Sequence, residues 1–285
     1  MSIDLTKLPA PAVVESLNFE TILATIKADV IANYPDAAAT LQLESEPITK
    51  LIEVFAYREL MLRSRINDAA RSVMLAYAGS TDLDHLAALV GVSRLDGEAD
   101  ERLRYRTQLS LEGFSTAGPV LSYVFHALSA SNQVKDAYVH SPIPGDVRVV
   151  VLAAPSTENP GGVPAPDLLT AVGAALNADD IRPLCDTVSI LPATVSTYAV
   201  AATLTCTPGP DTAVVLAAAV AAIESYATEQ FRLGYDITVS GIHAALHQPG
   251  VMRVDLTSPP VSIVVAPDQA ARCVSVDVSV AGVGV

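Results

Sequence analysis

The chain is poor in cysteine and aromatic residues. It has three cysteines and no tryptophan among 285 residues, and aromatic residues make up 5% of it. Cys185, Cys206 and Cys273 are odd in number and far apart, so they form no zinc or redox motif. We expect reduced thiols packed as small hydrophobic residues. At this length the chain can form two or three domains, each with its own core.

Positive charge is scarce as well. Lys and Arg total 17 against 31 Asp and Glu, a net charge of -14. Nucleic-acid phosphates attract a basic stripe, and the sequence shows none. We therefore expect no nucleic-acid partner.

Long hydrophobic runs and a secretory leader are also missing. The longest apolar run, Ala213 to Ile223, has eleven residues, whereas a membrane-spanning helix needs about 20. The first residues, MSIDLTKLPAPAVVESL, have neither a basic start nor an apolar stretch. We therefore expect a soluble chain with no membrane partner, folded in the cytoplasm.

Charge is unevenly distributed. Residues 1–112 contain 28 charged residues, and residues 113–285 contain only 20. A soluble monomer usually covers its surface with about a quarter charged residues, so the depletion suggests that other subunits cover much of the second part. The alternative is an ordinary surface rich in Thr, Ser, Ala and Pro.

The pattern over residues 47–78 predicts one long helix. Glu46 and Pro47 favour a helix start, and Gly79 favours its end. About thirty residues at about 1.5 Å each give a length of about 45 Å, which exceeds a small domain's core. The helix therefore needs helical neighbours in its own chain or in partner chains.

One side of this helix is a candidate protein interface. Apolar or small residues recur at spacings of three and four once Glu59 is allowed to occupy one position, which draws a narrow stripe. The predicted interface residues are Ile52, Phe55, Glu59, Leu62, Ile66 and Val73. Glu59 also stands four residues before Arg63, the favourable order for an ion pair.

The other face of the helix is charged. It carries Glu53, Arg58, Arg63, Arg65, Asp68 and Arg71. Such a charge run is usually a solvated face. The alternative is that the arginines bind acidic surfaces of partner proteins.

The whole chain reads as α+β, with an N-terminal helical arm domain followed by two small related α/β lobes. Residues 1–17 predict an extended, Pro-rich arm, and residues 18–112 a helical domain. Within that domain we predict a helix from Phe19 that Pro35 ends, the long helix, a short helix over 82–90, the acidic loop DGEADE and a basic turn at Arg102, Arg104 and Arg106. Gly113 and Gly118 bracket the change to a mixed pattern and are candidate hinges.

Two lobes are predicted over 113–193 and 194–285, because one pattern occurs twice. A helix, a valine-rich strand containing Asp, and Ser-Pro appear at 119–142 and again at 241–259. A strand leading into an apolar helix likewise appears at 146–177 and 197–230. The loop 155–166 predicts an irregular contact loop, and the tail CVSVDVSV an edge strand that could add to a neighbouring chain's sheet.

Catalytic motifs are few and weak. His243 and His247 are four residues apart on a helix, but Ala244 stands where a zinc protease has Glu, so ordinary packing or surface histidines are favoured. Asp82, Asp84 and His85 could suggest a metal or acid-base cluster, but at a helix start they more simply favour the helix dipole. Phosphate loops and nucleophile elbows are missing. We therefore expect no enzyme activity, cofactor or metal.

The sequence ESEPITKLIEVFAYRELMLRSRINDAARSVMLAYA, followed by DLDHLAALVGVSRL, closely resembles the baseplate assembly protein J family of contractile phage tails and tail-like bacteriocins. The segments FHALSASNQVKDAYVHSPIPGDVRVVVL, RPLCDTVSI and IHAALHQPGVMRVDL resemble the same family more weakly. The resemblance thus extends over nearly the whole chain.

This resemblance implies a structural wedge subunit of the baseplate, assembled in the bacterial host. It implies a wedge heterotrimer of two copies with a smaller tail protein, and lobes that join wedges into a ring around the hub. A lysozyme-like wedge protein, the sheath and hub or spike proteins would lie nearby, and the ring would rearrange to trigger sheath contraction. The alternatives are a tail-associated cell-wall hydrolase, for which no carboxylate pair stands out, and a receptor-binding fibre, whose long β-repeats are missing.

Overall fold

The computed structural model describes residues 3–9, 11–115, 118–209 and 211–284. They form an α+β chain in which helices precede two sheet-containing lobes, so the predicted fold class is confirmed. The chain divides into two compact units. One comprises Met1–Arg94 and Glu98–Gln108, and the other Leu95–Gly97 and Leu109–Val285.

The first unit is helical. Its helices are α1 (Phe19–Asn33), α2 (Pro47–Ser72), α3 (Ser80–Ala88) and α4 (Asp100–Gly113), the last of which continues into the second unit. The side chain of Asn18 caps α1 by accepting a hydrogen bond from the Thr21 N–H. Between α1 and the first half of α2 lies a small core of Ile22, Leu23, Ala37, Leu41, Ile52 and Ala56.

The long helix ends earlier than predicted. It stops at Ser72 after 26 residues, about 39 Å at about 1.5 Å per residue, and a turn separates it from α3. The Arg104 side chain stabilises this turn by donating to the carbonyls of Leu75 and Ala78. Gly79 is extended and precedes α3, so it does not end α2. The prediction of a helix over 47–78 was wrong at this end because a distant arginine binds the turn carbonyls.

The predicted basic turn is in fact the helix α4. Glu98, just before it, is buried; its carboxylate accepts a hydrogen bond from Arg106 at 2.6 Å and forms an ion pair with Arg102 Nε at 3.2 Å. Arg94 pairs with Asp84 at 2.7 Å and Asp100 at 2.8 Å, and donates to the Glu98 carbonyl. These ion pairs give Glu98 and Asp100 of the DGEADE loop a structural role.

The first lobe is a three-stranded sheet with two helices on one face. Its elements are α5 (Val120–Ala130), β1 (Val134–Ile143), β2 (Asp146–Ala153), α6 (Pro166–Leu176) and β3 (Thr187–Pro192). β2 is central, antiparallel to β1 and parallel to β3. Its alternate valines Val147, Val149 and Val151 pack under α5 and α6.

The second lobe has the same sheet plan. Its elements are β4 (Thr194–Cys206), α7 (Thr212–Gln230), α8 (Val239–Leu246), β5 (Val251–Ser258) and β6 (Gln269–Val283). β4 is central, antiparallel to β5 and parallel to β6. The valine-rich tail is therefore an edge strand of this sheet.

The two lobes are permuted versions of one arrangement. In each, a helix leads into the antiparallel strand (α5–β1, α8–β5), and the central strand leads into the other helix (β2–α6, β4–α7). In the first lobe the helix–strand pair comes before the central strand, and in the second lobe it comes after. The repeated sequence pattern therefore corresponds to equivalent structural elements joined in a different order.

The lobes share a core. β3, Ala193 and β4 run without a break, so one stretch of chain pairs first with β2 and then with β6. Behind the first sheet, Val150 and Leu152 pack against Phe231 and Leu233 from the α7–α8 connection. The partly buried Asp136 in β1 accepts from the Leu233 N–H at 3.0 Å, and desolvation raises the pKa of its carboxyl group.

Candidate protein-interaction surfaces

Four of the apolar side chains predicted at the interface are exposed along α2 and just beyond it. Phe55 is 58% exposed, Leu62 66%, Ile66 59% and Val73, just past the helix end, 68%. We call these residues together with Glu59 the α2 stripe. An unpartnered row of large apolar side chains on a long helix is the usual mark of a protein interface.

The stripe follows a seven-residue repeat that begins one turn earlier than predicted. Ile48, Phe55 and Leu62 are seven apart, as are Glu59, Ile66 and Val73. Ile48 and Leu51 are also exposed, as are Val54, Tyr57 and Met61 further round the helix. A seven-residue repeat keeps an apolar row facing a partner helix along its length. The spacing was visible in the sequence, and Ile48 and Leu51 were missed.

Ile52 is not part of this exposed surface. It is 5% exposed and lies in the core between α1 and α2, beside Ala56. The prediction that Ile52 lies at an interface with another chain is therefore corrected. Its position is three residues before Phe55, about 60° further round the helix, because successive residues turn by about 100°.

Glu59 forms an ion pair within its own chain. Its Oε1 accepts from Arg63 Nη2 at 2.7 Å and from Nε at 2.9 Å, which confirms the predicted pair of residues four apart. This hydrogen bond raises the pKa of Arg63. A carboxylate already paired in this way can lie in an interface without a cation from the partner.

The N-terminal arm packs on the second half of α2. Asn67 is buried, and its amide accepts from the Glu15 N–H at 3.0 Å and donates to the Glu15 carbonyl at 2.9 Å. Arg63 Nη1 binds the Glu15 carboxylate at 3.0 Å. A lone Asn within a helix gives no sequence signal for such a contact, so sequence reasoning missed Asn67.

The lobes expose apolar side chains at corners and loops. Leu184 is fully exposed at 100%, and Val264, Ile143 and Val261 are largely exposed. Ile143 and Val261 follow the two Ser-Pro pairs at equivalent ends of β1 and β5. The charge-poor part of the chain therefore also exposes several large apolar side chains.

Local packing and backbone conformation explain why glycine occupies both predicted hinge positions. A side chain on Gly113 would collide with the Phe125 ring. Gly118 has a φ of 66°, which favours glycine, and lies against Pro183. Residues 116 and 117, between the two glycines, lie outside the described residues.

The other sequence candidates do not converge on a reactive centre. Asp84 pairs with Arg94; His243 lies on α8, and His247 is the residue that caps the end of that helix. The described part of the chain contains no group of three His, Cys, Asp or Glu residues able to hold a metal. All three cysteines are free; Cys206 is buried as expected, but Cys185 is exposed.

Among the described residues, α7 is the one helix long and apolar enough to cross a membrane. Its Val215, Ala219 and Ile223 face the second sheet in the lobe core. The core helix of a globular domain meets the same length and composition criteria.

Comparison with known proteins identifies the family. Three family profiles match in order: the Baseplate J-like N-terminal domain at residues 44–98, the central domain at 115–192 and the C-terminal domain at 198–279. Baseplate protein J of Escherichia phage P2 is 46% identical over 291 aligned residues, which cover 95% of each chain. The chain therefore belongs to the baseplate J-like family and is a structural protein of a phage tail baseplate.

Proposed function

We propose that this chain is a wedge subunit of the baseplate, held in a heterotrimer of two copies and a smaller tail protein. The exposed α2 stripe is the observation that carries the proposal. The lobes join neighbouring wedges into a ring around the hub, near a lysozyme-like wedge protein, the sheath and the spike. The ring assembles in the host cytoplasm and rearranges to trigger contraction of the sheath.

Energetics support a partner on the α2 stripe. Burying one Phe, Leu, Ile or Val side chain contributes about 1.5–3 kcal/mol relative to leaving it exposed. Four such residues in one row therefore offer several kcal/mol to a partner helix, and the first unit leaves that surface open. A chain that functioned alone would not gain this free energy, because nothing would cover the four side chains.

In this wedge subunit the chain consists of an arm (1–17), a helical domain (18–112) and two lobes (113–193 and 194–285). Gly113 and Gly118 are the proposed hinge between the helical domain and the lobes. The position of these glycines near the boundary of the two compact units supports this division. Because the two lobes share a core, we expect them to move together as one rigid body about this hinge.

Replacing Leu62 and Ile66 together with Asp tests the wedge proposal. Both side chains are exposed, so the variant should fold normally and yet fail to assemble, because two carboxylates would enter an apolar interface. The measurement is co-expression with neighbouring tail genes followed by native mass determination. Normal assembly of this variant contradicts the assignment of the α2 stripe.

Leu89→Asp is the matched control. Leu89 is 81% exposed at the end of α3 and lies outside the α2 stripe. This variant should assemble like the unmodified chain. Loss of assembly in both variants would indicate a general effect of the added charge.

A further inference from the structure

A groove lies between helix α7 and strand β6 of the second lobe. Its helical wall consists of Glu224, Ala227 and Thr228, and its strand wall of residues 273–276. The volume of this α7–β6 groove is about 430 Å³. An extended segment that adds to the edge of a sheet can place alternate side chains in such a groove.

Strand β6 has a free edge. It pairs with β4 on one side, and no described strand pairs with it on the other. From Val276 to Val283, the outward N–H and C=O groups of β6 have no backbone partner within the described ranges. A row of unpaired backbone groups is a template for another strand. This template begins in the α7–β6 groove and continues beyond it.

A β-bulge exposes an apolar side chain at the groove. Tyr198 pairs with Cys273 and the next residue, Ala199, with Ser275, so Val274 is an extra residue in β6. Such a bulge bends the strand locally, and the Val274 side chain is 56% exposed. A strand added to this edge would cover it.

Two carboxylates are available beside the free edge. Glu224 on the helical wall and Asp277 on β6 are both exposed, and neither has an ion-pair partner in the part of the chain that the structure describes. The Cys273 thiol adds no charge at neutral pH, because burial and the Glu224 carboxylate raise its pKa. The groove therefore suits a partner that carries positive charge.

The cations near the groove have contacts within the chain. Lys135 donates to the Thr228 carbonyl at 3.3 Å and lies over the Phe231 ring. Arg272 lies beside Gly161 in the loop after the first sheet. Glu224 and Asp277 therefore remain free to bind a cation from a partner.

The sequence of the edge disfavours pairing with a second copy of itself. Residues 274–280 read VSVDVSV, which is the same in both directions and has Asp277 at its centre. Two β6 strands paired antiparallel in this register would place their Asp277 side chains directly opposite each other. Like charges in that position are destabilising, whereas a Lys or Arg opposite Asp277 is stabilising. The edge therefore selects a basic strand over its own copy.

We propose that the free edge of β6 and the α7–β6 groove bind an extended segment of a different baseplate protein, with a Lys or Arg opposite Asp277. The segment runs antiparallel to β6, the more stable direction of pairing. It covers Val274, and its side chains on the helical side enter the groove. This site goes beyond the wedge function, because it uses neither the α2 stripe nor the hinge.

A synthetic peptide tests this binding directly. The probe is fluorescently labelled Thr-Lys-Val-Lys-Val-Lys-Thr, titrated with the full-length chain and followed by fluorescence anisotropy. We expect saturable binding, and binding at least about tenfold weaker when Glu replaces Lys in the peptide. A peptide with N-methylated central amides should also bind at least about tenfold more weakly, because it cannot donate hydrogen bonds to β6.

Each peptide can contradict the proposal. Absence of saturable binding by the Lys peptide would overturn it. Equal binding of the Lys and Glu peptides would show that Asp277 and Glu224 do not select the partner. Equal binding of the N-methylated peptide would show that no strand is added to β6.

Three variants of the chain locate the site. Asp277→Lys should reverse the preference, so that the Glu peptide binds more tightly than the Lys peptide. Thr228→Tyr should weaken binding because it fills the α7–β6 groove. Ser225→Tyr is the matched control on α7 outside the groove, and it should bind normally. All three positions are exposed, so the unfolding transition should not change. An Asp277→Lys chain that still prefers the Lys peptide would refute the assignment.

A photo-cross-linking amino acid at position 279 identifies the occupant in assembled baseplates. Ser279 is exposed and lies on the same face of β6 as Asp277. We expect cross-links to one segment of a different tail protein that contains Lys or Arg. A probe at position 257, on the opposite edge strand β5, should not reach that segment.

Cross-links only to a second copy of the chain, or none, would overturn the proposal. Failure of the wedge function would be seen separately, as normal assembly of the variant with Asp at positions 62 and 66.

Discussion

At the scale of single residues, burial separates Ile52 from Phe55. They are three positions apart on α2 and both apolar, yet Ile52 is 5% exposed and Phe55 58%. Ile52 packs against α1 within the chain. Phe55 contributes to stability only when a partner covers it.

Alanine substitutions should separate these two roles. Ile52→Ala should lower the free energy of unfolding of the isolated chain by about 2–4 kcal/mol, because it leaves a cavity in a small core. Phe55→Ala should change it by less than about 0.5 kcal/mol and still weaken assembly. Urea denaturation measures the first effect and native mass determination the second. Equal destabilisation by the two substitutions would contradict the assignment.

The sequence pattern predicts the apolar stripe, but it does not tell which residues of the stripe are buried within the chain and which are exposed. Spacing identifies which side chains share one side of a helix, and Phe55, Leu62 and Ile66 are all exposed on α2. It does not say whether α1 or another chain covers a given residue, because that depends on where α1 packs. Ile52 was misassigned for this reason, and Asn67 was missed because only the folded arm gives it a role.

At the scale of elements, α4 and the loop before it depend on a buried charge cluster. Arg106 is 3% exposed and binds Glu98 at 2.6 Å, and Arg102 binds the other carboxylate oxygen. Burial lowers the pKa of Arg102. Two charges removed from water are stable only while each keeps its partner.

Glu98→Gln and Arg106→Gln should therefore be strongly non-additive. Arg106→Gln alone should cost about 3 kcal/mol of unfolding free energy, because Glu98 loses its closest cation. The double variant should cost less than the sum of the single variants by about 1–3 kcal/mol. Chemical denaturation of the four proteins gives the coupling energy. Additive effects would indicate that the pair is not coupled.

The sequence predicted most elements of the lobes well, but not this cluster. An alternating or helical apolar pattern matches the observed element in five cases: the strands β1, β2 and β4 and the helices α6 and α7. A charge run such as Arg102, Arg104 and Arg106 is normally solvated, so its burial follows only from tertiary contacts. The end of α2 shifted for the same reason, because Arg104 binds its turn.

At the scale of the whole molecule, the proposed hinge makes a measurable prediction. The angle between the helical domain and the lobes should differ between resting and contracted particles, with the change confined to residues 113–118. The two lobes should superimpose as one body in both states, because they share a core. Electron cryomicroscopy of both states measures this angle. An unchanged angle would contradict the hinge.

The repeated lobe pattern was recognisable in the sequence, but the order of its parts was not. Residue patterns identified two helix–strand pairs and two strand–helix pairs. Strand pairing shows that β2 and β4 are both central. Only this pairing reveals that the two lobes have the same sheet with its parts joined in a different order.

The unbroken run from β3 through Ala193 into β4 has a mechanical consequence. A pull along the chain from one lobe to the other is carried by covalent backbone, and the flanking strands β2 and β6 hold that backbone through ladders of hydrogen bonds. Loading such a ladder along its length strains many hydrogen bonds at once rather than one after another. The pair of lobes therefore resists stretching along the chain as one stiff unit.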